Sequence, residues 1–572
     1  MVLDMNNTRH SQTRFGRSAP VSPKKNEAPQ SPENTTRSNL GTLQSMAHSL
    51  SAPISPSNHS KQSPTADITN SPSSPRRKAL TRMLSDRATV PTSGKVRKVV
   101  KSLQSGSFQS ASNILPILDE FWRLIHERPG MQFELGKYND GQAMQLVVKI
   151  MTRFEDNEAI ALLCCQIIRD MCEVHDQNRI LIGKTEKGIQ PLLVAVLTHE
   201  SNMDIQRTGL QAMARLALNY ENKSLIADMN GLEVLKTCME FYTDHADLQI
   251  ECMRVTAALA EMPLHSRSLA ALGISKLVVQ IMRQYPKDAT LQLYACEAVR
   301  NLTETYDVSR GQLAAAGVLE LILDAMKRYP NNAELQANGC FALWHCADGH
   351  SMNADVIMKA DKKNQKGFVA VLIAMKKHPS DTAVQGSACG VLKLITEDHH
   401  HSETLGHEGA IQCVLTAMRQ HDTDKLIQAQ GCGALCNMAV VPEHKEPIMK
   451  AAGIGMIVFA MKQLEDEADV QKSGCKALRQ LGLHTDDAKV SIASTGGIKA
   501  ILAAMEKHSE NKGVQVLALG ALQPLVKISR ARTVIIQNKG AVLIEKAMKR
   551  LPDDKHVEKQ GWEILEALLD SM

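Results

Sequence analysis

The stretch "GVLELILDAMKRYPNNAELQANGCFALW", Gly317–Trp344, decides the fold. Behind Gly317, the apolar residues Leu319, Ile322 and Met326 recur at helical spacing. Lys327 and Arg328 fall in the last turn, where cations suit the helix dipole, and Pro330 bars continuation. Asn332 then stands where a helix cap belongs. Beyond it Leu335, Gly339, Leu343 and Ala347 lie along one line of a second helix. The stretch predicts two helices joined by a tight turn.

The same pattern returns along the chain. With Met326 as marker, its equivalents are Met151, Val196, Met239, Met282, Met375, Met418, Met461, Met505 and Met548, 43 to 49 residues apart. Ten residues past each marker, Gln fills eight of ten copies, from Gln206 to Gln515. Fourteen past it the column reads Cys165, Leu210, Met253, Cys296, Cys340, Cys389, Cys432, Cys475, Leu519 and Trp562, always preceded by Gly, Ala or Cys. Six past it, eight of ten are Asn or Asp, predicting side-chain caps. A shorter segment, such as "ENKSLIADMN" from Glu221, links one copy to the next. A unit of this length with one short and two longer helices predicts a stack in which each copy packs only on its neighbours.

Composition agrees. The chain has 572 residues, too many for one compact core. Hydrophobic residues make up 43% and aromatics 3%, which suits helices packed through Leu, Ile, Val, Ala, Met and Cys rather than a β-sandwich. Net charge is +5, too small to argue for nucleic acid, but it is unevenly placed. Up to residue 108 there are 16 Lys and Arg against 5 Asp and Glu, so the remainder carries −6. All thirteen Cys lie at or after Cys164, without paired CxxC motifs at zinc spacing, and read as small buried side chains. Free thiols in a long chain favour a reducing compartment. No apolar run has the length of a membrane span, the start lacks a signal-peptide core, and Val2 excludes myristoylation. The expected location is the cytoplasm, with the nucleus as an alternative.

Residues 1–107 read as a disordered tail of Ser, Pro, Thr, Asn and basic residues, with apolar residues scattered. Ser22 in "SPKK" and Ser74 in "SPRR" have the look of proline-directed kinase substrates. Ser18 in "RFGRSAP" resembles a docking site for 14-3-3 proteins once phosphorylated, and Ser85 follows Arg82 by three, as in basophilic kinase sites. The clusters "PRRKALTR" and "GKVRKVVK" read as a solvated basic linker, with a nuclear import signal as the other reading. "SASNILPILDEFWRLIHERPG" from Ser110 predicts capping helices over 108–140, ahead of an array over 141–572.

The repeats resemble the armadillo family. "NKSLIADMNGLEVLKTCM" looks like its linking helix, glycine and second helix. "LQLYACEAVRNLTE" and "IQAQGCGALCNMAV" look like its third helix, with a small-residue pair and an apolar-Asn-apolar ending. The resemblance covers about residues 110–572. Its wording is similar to the armadillo region of leucine-rich-repeat kinases, though no leucine-rich or kinase segment is present. It implies an all-α, right-handed solenoid of about ten repeats whose third helices line a concave groove for extended partner peptides.

Importin-α carries rungs of Trp and, four residues on, Asn along that groove. In this register the Trp rungs include Arg254, Glu297, Phe341 and Lys476, and none is Trp. The Asn rungs include His345, and only Asn301 and Asn437 are Asn. Import of basic signals is therefore not expected. Arg254, Glu297, Asn301, Phe341, Trp344, His345, Asn437 and Lys476 are the candidate groove residues, with Phe341 and Trp344 either gripping a peptide or packing on neighbouring helices.

No catalytic motif or cofactor is indicated. The pairs His126-Glu127, His199-Glu200 and His407-Glu408 fall in different parts of the repeat, so they do not form the facing iron sites of deoxyhypusine hydroxylase. The run His399–His401 is expected in a solvated linking loop. The expectation is a non-enzymatic binding scaffold for other proteins, with kinases and 14-3-3 proteins on the tail. A small-GTPase exchange factor and a nuclear-transport adaptor stand as alternatives. Oligomeric state is open.

Overall fold

The computed structural model describes residues 94–570, except 107–109, 128–129, 305, 360–365 and 484. The expected tail over residues 1–93, with Ser18, Ser22, Ser74 and Ser85, lies outside the described residues.

The described chain is all helix, 32 helices in order. Ten units each carry a first, a second and a third helix. In the unit that holds the opening stretch these are Asp307–Ala315, Val318–Arg328 and Ala333–Ala347. Third helices pack closely on one another along the whole array, while first and second helices meet their counterparts much more lightly. The third helices therefore form the inner layer of the curve and the second helices its outer layer. A continuous apolar core runs between them from Val96 to Leu568.

Each sequence column has a physical cause. The eight Asn and Asp caps all accept from backbone N–H groups at a third-helix start, for example Asn332 Oδ1 from Leu335 N at 3.1 Å and Asp424 Oδ1 from Ile427 N at 2.9 Å. His245 and Glu467, the two exceptions, make no such bond. The small residue thirteen past the marker is small because the marker side chain lies on it. A Cβ on Gly431 would sit 2.6 Å from Met418 Cγ, and one on Gly474 2.5 Å from Met461 Cγ. Gly317 opens its second helix at φ +85°, in the left-handed region.

The Gln column is a buried clamp. Its side-chain amide donates both hydrogens to the end of the preceding second helix. Gln336 Nε2 reaches the carbonyls of Met326 at 2.9 Å and Tyr329 at 3.1 Å. Gln428 does the same to Met418 at 2.7 Å and His421 at 2.9 Å. All eight glutamines repeat this pair of bonds. Helix-terminal carbonyls have no partner within their own helix, so a buried end needs such a donor.

Three expectations are corrected. Residues Gly94–Gly106, placed in the tail, form helix α1. Its charges face outward while Val96, Val99, Val100 and Leu103 are buried, an amphipathic pattern hidden by the density of Lys and Arg. The capping segment from Ser110 is one long helix, α2 (Ala111–Glu127), which packs on α1 and on the third helix Glu158–Cys172. Together α1 and α2 act as the second and third helices of an additional leading unit. The His run is not a loop: His399–His407 is a first helix, capped by Asp398, whose Oδ1 accepts from His401 N at 3.0 Å.

Candidate functional site: the concave face

The third helices present two different surfaces along one groove. At its N-terminal half the polar side chains are tied to each other. Trp122 Nε1 donates to Asp170 Oδ2 at 2.9 Å. Arg169 grips the same carboxylate at 2.6 and 3.0 Å and reaches Gln211 Oε1 at 3.4 Å. Gln211 Nε2 donates to Glu251 Oε1 at 3.0 Å, and Arg254 Nε lies 3.8 Å from Glu251 Oε2. Arg254 also covers the Tyr294 ring at 4.3 Å. Arg215 pairs with Glu173 through two bonds of 3.0 and 3.2 Å. The chain of partners spans four third helices and α2.

The centre is aromatic. Phe341 and Trp344 stack with centroids 6.0 Å apart, and His345 tilts against both. Arg300 covers Phe341 at 4.3 Å and donates to Asn338 Oδ1 at 3.2 Å. Burial above all pushes His345 below the usual histidine range, against the pull of Glu304. Trp344 is half-buried and packs on the core edge. Its ring fills the space where Gly390 lacks a side chain: a Cβ there would meet Trp344 Cδ2 at 2.4 Å.

The C-terminal half carries different residues. Gly390, Gly433 and Gly520 occupy the rung at which the N-terminal half carries Gln211, Arg254 and Glu297. Lys393, half-buried, lies over Gly433, and Arg479 over Gly520. Lys476 and Arg479 are exposed and flank Cys436. Among the described residues, Lys393, Lys476 and Arg479 make no ion pair with a carboxylate. Cys436 is half-buried, while the other twelve thiols are buried. Burial pushes it up to about 11, against the pull of the two cations.

The candidate residues do not form one cluster. Phe341, Trp344 and His345 come together. Asn301 and Asn437 use their amides on the preceding third helix instead: Asn301 Nδ2 donates to Ala257 O at 2.9 Å and Asn437 Nδ2 to Lys393 O at 2.8 Å. Arg254 and Glu297 are half-buried in the N-terminal half, and Lys476 stands apart in the C-terminal half. Lys393, Arg479 and the three glycines are groove residues that sequence reasoning missed. They were visible as a rung of three glycines.

A second ladder was also missed. Three past the marker, eight of ten copies carry an aromatic residue or His. Six of these donate across to a backbone carbonyl in the turn of the preceding unit, among them Tyr242 OH to Glu200 O at 2.7 Å and His421 Nε2 to Pro379 O at 2.7 Å. His199 of the His199-Glu200 pair belongs to this ladder. Among the described residues no group of three or more His, Cys, Asp and Glu could hold a metal ion, and no helix is long and apolar enough to cross a membrane.

Residues 270–445 match the family model described as LRRK2 ARM repeat, and residues 373–565 the model of the protein zer-1 homolog-like C-terminal domain. No curated protein matches by sequence. Solved structures share the fold, two of them as follows. One, from work described as "a conserved phosphorylation switch controls the interaction between cadherin and beta-catenin", aligns with a TM-score of 0.65 at 16% identity, over 87% of this chain and 95% of its own. The other, an engineered protein, aligns with a TM-score of 0.60 at 20% identity, over 74% of this chain and 98% of its own. Stacked three-helix units with third helices inward, the two family models and these folds agree: the chain folds as an armadillo-like solenoid.

Proposed function

We propose that the chain is a non-catalytic scaffold that holds an extended acidic segment of a partner protein in the C-terminal half of its groove. The observation that carries this reading is the set of Lys393, Lys476 and Arg479, which have no internal carboxylate partner, with Lys393 and Arg479 lying over Gly433 and Gly520. Unpaired cations on the walls gain more from an incoming carboxylate than the engaged arginines of the N-terminal half. Asn437 keeps its side-chain oxygen for a partner N–H while its amide holds Lys393 O. The fold likeness to a structure from work on cadherin and beta-catenin supports a protein partner.

The test is fluorescence anisotropy of the full chain with a labelled peptide of alternating Glu and Ser, and with its Lys–Ser counterpart. Saturable binding of the acidic peptide alone, weakened by salt, is expected. Equal binding of both peptides, or an acidic-peptide affinity unchanged in K476E/R479E, overturns the reading.

A further inference from the structure

The last third helix, Lys555–Leu569, turns a different surface to solvent. Val557, Gly561, Ile564 and Leu568 form its buried face. On the opposite side Lys555, Lys559, Trp562, Glu566, Leu569 and Asp570 fall on one stripe. All six are exposed, Trp562 at 56% and Leu569 at 68%.

An earlier unit shows what such a stripe meets. In the third helix Ala468–Gly482, Lys472 lies over Gly513 and Arg479 over Gly520, while Gly482 faces Leu525 and Cys475 is buried. Gly513, Gly520 and Leu525 all belong to the next third helix, Lys512–Leu525. Lys559, Trp562, Glu566 and Leu569 stand at the places of Lys472, Cys475, Arg479 and Gly482. They are therefore the face on which a further helix packs. The leading end differs. Neither α1 nor α2 exposes a large apolar side chain, as suits the polar outer face of a capping unit. Trp562 and Leu569 depart from that rule, and an exposed apolar face with a charged rim marks an interaction site.

The order of charges selects the occupant. The stripe is cationic at Lys555 and Lys559, apolar at Trp562, and anionic at Glu566 and Asp570. This is the reverse of what the helix dipole favours. Among the described residues Lys555, Glu566 and Asp570 make no ion pair, and Lys559 reaches Glu563 only at 4.0 Å. Glu563, at the border, is held by Gln523. The helix by itself gives no reason for the order, but an antiparallel copy of the same helix does. Lys559 lies as far before the step from Trp562 to Glu563 as Glu566 lies after it. Lys555 and Asp570 are related in the same way. A twofold axis beside Trp562 sets each lysine opposite a carboxylate of the second copy and brings the two indoles together. A parallel copy in register would set like charges side by side.

We propose that the chain forms a twofold homodimer through antiparallel packing of the helix Lys555–Leu569 on its counterpart. The indoles supply most of the affinity, and the charge pairs fix direction and register. A single helix pair lies at the low end of interface sizes, below about 1,200 Å² in total, so a Kd on the order of 10 μM is expected.

Analytical ultracentrifugation of the full chain tests this. Between about 1 and 100 μM its mass should rise from that of one copy toward that of two and stop there. W562S should raise the Kd about tenfold or more, with circular dichroism unchanged. K555E/K559E and E566K/D570K should each remain monomeric alone and form a dimer when mixed, since the reversed stripes complement each other. A wild-type chain that stays monomeric at about 100 μM overturns the proposal. So does a dimer that W562S leaves unchanged, which would place the contact elsewhere. Failure of the two charge variants to pair on mixing overturns the antiparallel register. A mass that climbs past two copies would mark a head-to-tail contact and equally overturns the twofold dimer.

Discussion

The two halves of the groove share a backbone and differ in what their third helices carry. In the N-terminal half Arg169, Arg215 and Arg254 each have a carboxylate, and Gln211 links two of the helices. In the C-terminal half glycine stands at three of five rungs, beside Lys476 and Glu563, and Lys393, Lys476 and Arg479 are left without such partners. The clamps and caps beneath are the same in both: Gln249 and Gln428 bond the same pair of carbonyls in their own units. The fold is thus independent of the groove chemistry, and one or two rungs per unit decide whether a surface is closed or receptive.

Breaking the shared layer should have the largest effect and should not distinguish the halves. Gln428→Leu and Gln249→Leu each strand one buried helix-end carbonyl, Met418 O or Met239 O, and leave His421 O or Tyr242 O with only its backbone N–H partner, at about 1–3 kcal/mol. Urea unfolding followed by circular dichroism should show comparable losses for both. A loss confined to one half would show that the clamps are not equivalent.

The glycine rung sharpens the comparison. Gly390→Ala puts a methyl group against the rigid Trp344 ring and should cost about 1–3 kcal/mol. Gly433→Ala meets only the flexible Lys393 chain, at 2.8 Å from Cδ, and should be neutral or gain up to about 1 kcal/mol from helix propensity. Thermal melts of the two variants test the contrast, and equal losses would remove the distinction.

Charge reversal separates the halves by binding. K476E/R479E should weaken the Glu–Ser peptide about tenfold or more, whereas R215E, whose parent already pairs with Glu173, should change it less than about twofold. Anisotropy titrations at matched salt measure both.

The smallest effect is a pH dependence at the boundary between the halves. Burial holds His345 below its unfolded pKa of about 6.5, so the folded state binds fewer protons there. Its neutral form supports the fold above pH of about 6.5, and that contribution falls as pH drops below it. His345→Gln should flatten the pH dependence of stability between about pH 5 and 7, seen by urea titrations at each pH.

Much of this was readable in the residues. The marker spacing, the Asn and Asp caps and the small residue before the Cys column each report a contact within one unit or between adjacent helices. Such contacts repeat with the sequence, so they stand out as columns. The Gln column was visible but its role was not, because its partners are carbonyls, which no side-chain identity reveals. The Tyr and His ladder was overlooked for the same reason: Tyr242 and His421 differ as residues, yet both place a donor on a backbone oxygen of the preceding unit. Helix α1 was assigned to the tail because Lys95, Arg97, Lys98 and Lys101 outweighed its four buried apolar residues.

The sequence by itself determined the repeat, its helices, their ends and the absence of an importin-type ladder. Only the tertiary structure decided which groove groups were already spoken for. Asn301 and Asn437 looked like ligands for a peptide, and their amides hold the neighbouring helix. Lys476 was a groove candidate and Arg479 was not, and both lack a carboxylate partner. The physical reason is distance across the stack: a repeat fixes neighbours along the chain, but whether a polar side chain meets another polar group depends on the residue one unit away, more than forty positions along the sequence.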